Sequence, residues 1–275
     1  MPVAHINGHR MYYETQGHGP PVLCMTGWGT ICHGRSMFLP HSLTKANYQL
    51  IYFDHRGIGE SENAPEIEHS TDLYADDAAS LLEHLKLNSA HVVGLGGMGA
   101  LIGQKMAINH HDHVLSLAMF GPWAKVDHYL GDQLRLFDML HEKIGFEAYQ
   151  MCAALFCYTP EHYHENHSRI ISPNGPWQMI KNNQPIHNKF ITACLKHDTT
   201  GELNKIDQPT LIIMGGKEDL MTGDRVGQVI LKGIPHAEYV VIEGAPHAHQ
   251  AYPEADKILN DTIGDFVRRQ VENHA

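Results

Sequence analysis

Apolar runs rich in β-formers alternate with amphipathic helical stretches along most of this chain, and that alternation restricts it to a mostly parallel sheet covered by helices on both faces. Residues 4–6 and 10–14 predict an opening hairpin turned at Asn7-Gly8. Strands are expected over 21–25, 49–53, 91–95 and 114–121. A helix over 74–87 repeats Ala75, Ala78, Leu82 and Leu85 at helical spacing, and a second is expected over 98–109. The alternation then stops. Residues 122–206 are rich in aromatics, Met and His, predict short helices such as 132–143 and 146–157, and contain the turn-rich run Ser172-Pro173-Asn174-Gly175-Pro176. From 207 the pattern resumes, with strands over 209–214 and 238–242 and helices over 224–232 and 253–269. The expected organisation is a core of 1–121 plus 207–275 with a helical cap, 122–206, inserted into it.

Length and charge limit the partners. With 275 residues, 43% hydrophobic, the chain is long enough for one large domain with an insertion. A net charge of −11 argues against nucleic acid or an anionic membrane, which clustered Lys and Arg would be needed to bind. No run of eighteen apolar residues and no secretory signal is seen, so a cytoplasmic protein is expected. Five cysteines without pattern, Cys24 within an apolar strand among them, read as reduced thiols. The 23 histidines include His162, His164 and His167 at spacings that could grip a metal, and the group His110, His111 and His113. Neither has carboxylate or cysteine partners at a defined return spacing, so no metal is expected.

Chemistry concentrates at Val92-Val93-Gly94-Leu95-Gly96-Gly97-Met98-Gly99-Ala100. A strand runs through a glycine corner into a helix, which is the turn that presents the nucleophile in Gly-x-Ser-x-Gly enzymes. Here the tip is Gly96. Shifting the register by one residue makes it Gly97, and no hydroxyl, thiol or carboxylate lies between Gly94 and Ala100. Acyl-enzyme chemistry at this corner is thereby excluded.

Five stretches in order resemble the α/β-hydrolase superfamily. They are Thr26-Gly27-Trp28-Gly29, Asp54-His55-Arg56-Gly57-Ile58-Gly59-Glu60-Ser61, Gly94 to Gly99, Gly215-Gly216-Lys217-Glu218-Asp219 and Gly244-Ala245-Pro246-His247. The resemblance implies a mostly parallel central sheet flanked by helices, with the inserted cap. It also implies an acid at Asp219, with Glu218 its rival, and a histidine base at His247, with His249 its rival. Backbone N–H groups of Trp28 and Gly97 would serve as oxyanion donors. Asp54, His55 and Arg56 are expected to fix a loop. Met98 stands where the superfamily has a second small residue, which leaves the backbone path at the corner open. The cap order and Phe120-Gly121-Pro122-Trp123 look most like the group of enol-lactonases and aminoacrylate hydrolases, some of which lack the serine.

The expected activity is therefore cofactor-independent. His247 and Asp219 would activate water or abstract a proton beside Gly96, on a small carbonyl, enamine or lactone enclosed by Trp123, Met98, Tyr158 and Trp177. A lyase, a C–C bond cleaving enzyme or a cofactor-free oxygenase on the same dyad is the nearest alternative, and a retired enzyme turned ligand receptor or scaffold the more distant one. The partner is a small molecule; self-association is left open.

Overall fold

The structure is a computed structural model and describes residues 2–32, 39–63 and 67–274. The first strands are β1 (Val3–Ile6) and β2 (His9–Gln16), joined at Asn7 and Gly8 with φ of 43° and 78°. Positive φ at both turn residues matches the twist of the hairpin. Next come β3 (Pro21–Met25), α1 (His41–Thr44), β4 (Gln49–Phe53), α2 (Thr71–His84), β5 (Ala90–Gly94), α3 (Met98–Asn109) and β6 (Val114–Phe120). Four longer helices follow: α4 (His128–Lys143), α5 (Phe146–Cys157), α6 (Pro160–Ile170) and α7 (Gln184–Lys196). The sheet then resumes with β7 (Thr210–Gly215), α8 (Gly223–Gly233), β8 (Glu238–Ile242) and the closing α9 (Pro253–His274).

The eight strands lie in the order β1-β2-β4-β3-β5-β6-β7-β8. Pairing is antiparallel for β1·β2 and β2·β4 and parallel from β4 to β8. All five residues of β5 and all six of β7 are buried, as strands covered on both faces must be. One face packs Leu23, Met25, Val92 and Leu117 against α2 and α3; the other packs Val22, Val93, Leu211 and Ile213 against Leu259, Ile263 and Phe266 of α9. The carboxyl ends of β3, β5, β6, β7 and β8 thus converge on one edge, where open α/β sheets place their ligands.

Several expected bounds move. The helix expected over 74–87 begins three residues earlier, because the Ser70 hydroxyl accepts from Leu73 N at 3.0 Å and starts it there. Helices α6 and α7 were not delimited in the sequence. Both open with proline in the first turn, and Thr159 caps α6 through His162 N. Asp127 caps α4 at Leu130 N, 2.7 Å, while its other oxygen accepts from Arg225 of α8 at 2.8 Å.

Candidate active site

The loop after β3 begins under constraint. The buried His55 ring donates from Nε2 to Thr26 O at 2.8 Å, and burial lowers its pKa so that the ring stays neutral. Asp54 accepts from Cys32 N at 2.6 Å and Glu60 N at 2.9 Å, and Arg56 forms a buried two-point pair with Asp77 at 2.7 and 3.0 Å. All three side chains are buried and hold loops; none lines the cavity described below. Trp28 extends from this loop and donates its indole N–H to the Tyr149 hydroxyl of α5 at 3.2 Å.

At the end of β5 the turn contains two glycines with positive φ, Gly96 (φ 67°) and Gly97 (φ 62°, ψ −86°), before α3 starts at Met98. A bulky side chain would be strained at either. Their surroundings differ. A methyl group on Gly96 would meet nothing closer than Gly27 N at 3.4 Å, whereas one on Gly97 would lie 2.8 Å from Cζ3 of Trp123.

The Gly97 N–H donates to Phe120 O at 3.4 Å, a long hydrogen bond within the corner. One sequence expectation is corrected here. Met98 does not line the pocket: it is fully buried in the core beneath α3. A small residue is required one position later, at Gly99, where a methyl would lie 2.5 Å from Met25 O.

Asp219 follows β7 and is 3% exposed. Its carboxylate accepts from Met221 N, Thr222 N and the Thr222 hydroxyl, each at 2.9 Å. Burial raises its pKa, but the neighbouring His247 and the Thr222 donors outweigh this and bring it to about 2. His247 follows β8, with Nδ1 3.4 Å from both carboxylate oxygens and its side chain 20% exposed. The ring lines the same cavity as the glycine corner, with Gly121 between them. A methyl on Gly121 would lie 3.9 Å from His247 Cε1 and 3.8 Å from Gly97 N. Of the rivals, Glu218 is exposed, while His249 turns Nδ1 to His247 O at 3.4 Å and packs edge-on to Phe120. Burial and the His247 charge lower the His249 pKa to about 4.

A cavity of about 430 Å³ opens at this edge of the sheet. Gly96, Gly97, Trp28 and His247 form its floor with Thr222, and Asp219 stands behind. Trp123, Tyr158 and Trp177 line it too, joined by residues that sequence reasoning missed: Phe137, Tyr149, His162, Arg169 and Asn174. Several of these lie on or just after α6, whose Thr159-Pro160 start was the overlooked signal. His162 stacks on Tyr158, with ring centroids 5.5 Å apart, and meets the Tyr252 ring at a 37° tilt, 4.7 Å away. No group of three His, Cys, Asp or Glu among the described residues is placed to hold a metal, and no helix among them is long and apolar enough to cross a membrane.

The sheet order and the loops gathered at its carboxyl edge define an α/β-hydrolase fold. The model of the family Hydrolase_4, described as serine aminopeptidase S33, matches residues 29–251, and the chain belongs to that family of hydrolases. A protein of Azorhizobium caulinodans provisionally named carbamate hydrolase RutD is 29% identical over 255 residues, 91% of this chain and 93% of the relative. A protein of the same name in Agrobacterium fabrum is 25% identical over 247 residues, 86% of this chain and 91% of the relative. Among solved structures, the enol-lactonase from Burkholderia xenovorans LB400 superposes with a TM-score of 0.81 at 22% identity, over 97% of this chain and 100% of that one.

Proposed function

We propose that the protein hydrolyses a small carbonyl, enamine or lactone substrate without an acyl-enzyme, His247 acting as general base on water and Asp219 orienting it. Glycine then stands where the superfamily places its serine. The observation that carries this is the His247–Asp219 pair, whose imidazole lines one cavity with a corner of two residues, Gly96 and Gly97, that have no side chains. Water in that space loses a proton to Nε2 while its oxygen bonds to the electrophilic carbon. The imidazolium so formed is balanced by the ionised Asp219, and it returns the proton to the leaving atom as the carbon–heteroatom bond breaks. No cofactor enters this sequence. Negative charge on the substrate oxygen meets the Trp28 N–H and the positive end of α3, which opens at the same corner. Residues 122–206 serve as the cap, its roof formed by Trp123, Tyr158 and Trp177. The five cysteines are free thiols, which suits a reducing cytoplasm.

The likeness to proteins named for carbamate hydrolysis and enol-lactone hydrolysis supports a small, activated acyl or enol substrate. A panel of enamines, β-dicarbonyls, carbamates and lactones tests the proposal. His247→Ala should lower kcat/KM about 10²- to 10⁴-fold on whichever compound the wild type turns over. A fluorophosphonate aimed at serine should leave both rate and protein mass unchanged. A covalent adduct at the glycine corner, or full activity without the imidazole, would overturn it.

A further inference from the structure

We infer that Arg169 and Tyr158 form a subsite in the cavity wall that binds a carboxylate group. Of the described arginines, Arg10, Arg56, Arg135, Arg225, Arg268 and Arg269 each pair with a carboxylate. Arg169 does not. Its guanidinium has no hydrogen bond or ion pair to any described residue, in a chain where 31 carboxylates outnumber 20 cationic side chains. It is also the one Lys or Arg among the described residues that line the cavity.

Tyr158 lines the same cavity, with its hydroxyl free of any hydrogen bond among the described residues. Burial raises its pKa and the Arg169 charge opposes that rise, so the two groups feel one another. The ring is held by its stack on His162, with planes only 7° apart. Tyr158 follows Cys157, whose carbonyl accepts from Ala248 N at 3.0 Å, so the subsite and the His247 loop share one anchor. A planar guanidinium offers two parallel N–H groups and the phenol a third, which suits a two-oxygen monoanion. Asp256, the carboxylate among the described lining residues, has His41 as its electrostatic neighbour.

This subsite deepens the hydrolytic proposal by giving the substrate an acidic end, yet its test needs no turnover. All three tryptophans of the chain, Trp28, Trp123 and Trp177, line the cavity, so intrinsic fluorescence reports its occupancy. Butyrate and glutarate should change the emission saturably in the full-length protein, and neutral butyramide should bind at least tenfold more weakly. Arg169→Met should bring the two affinities together, and Tyr158→Phe should weaken butyrate about tenfold, a hydrogen bond to a charged group being removed in each case. The near-ultraviolet circular dichroism of each variant checks that it is folded. Equal affinity of wild type for butyrate and butyramide, no saturable response to either acid, or discrimination that survives Arg169→Met would overturn the subsite. Tighter binding of inorganic phosphate than of butyrate would overturn the carboxylate assignment. Failure to hydrolyse any panel compound would sink the hydrolytic proposal and leave these binding results standing.

Discussion

Asp219 joins two opposing effects at one carboxyl: burial, which favours the neutral acid, and three donors with an imidazole neighbour, which favour the anion. The anion wins, with a pKa of about 2 against an ordinary 3.8. Since the folded value is the lower one, the stabilisation from this group is complete above about pH 4 and is lost as pH falls toward 2. Urea unfolding of wild type and Asp219→Asn should therefore differ most near neutrality and converge in that window. The glycine corner makes a second residue-scale prediction. Gly97→Ala should cost about 1–3 kcal/mol more than Gly96→Ala in the same measurement, because both have positive φ but only a methyl at 97 strikes the Trp123 ring. Asp219 and His247 were legible in the sequence because each sits in a short turn just past an apolar strand. The partner of the Gly97 N–H was not. Two adjacent glycines admit several backbone paths, and only the approach of Phe120 O selects one.

Elements are joined here by a few buried or doubly used polar groups. Arg56, after β4, and Asp77, on α2, face one another at 0% and 1% exposure. Removing one partner strands the other charge, so Asp77→Ala should destabilise the fold by about 3–5 kcal/mol in chemical denaturation. A smaller loss, under about 1 kcal/mol, would show that water reaches the guanidinium. Strand positions were readable to within a residue or so, since apolar β-rich runs buried on both faces leave a strong signal. Of the inserted helices, α5 was read at its own bounds and α6 was not. The sequence of α6, Pro-Glu-His-Tyr-His-Glu-Asn-His-Ser-Arg-Ile, is polar nearly all round, with Ile170 its one buried residue, so no apolar stripe announces it. Arg169 stayed hidden with it.

The whole molecule carries an acid sensitivity set by histidines within it. Burial lowers the pKa of His91 to about 4, and those of His187 and His197 to about 3. In the unfolded chain these rings take up protons near 6.5, so between 6.5 and their folded values the unfolded state binds more protons. Stability is then full above about pH 6.5 and falls with pH below it, by at most about 1.4 kcal/mol per pH unit for each ring. The thermal midpoint should drop between pH 6 and 4, ahead of carboxylate titration, and His197→Gln should flatten that slope. A midpoint constant down to pH 4 would show that the buried rings are already charged in the fold.

Strands β6 and β7 pair side by side although the chain leaves the sheet at Phe120 and returns only at Thr210. Closing so long an excursion costs little more than closing a shorter one, because loop entropy grows only with the logarithm of length. The segment between them can therefore change in length or be exchanged at small entropic cost while β6 and β7 keep their pairing.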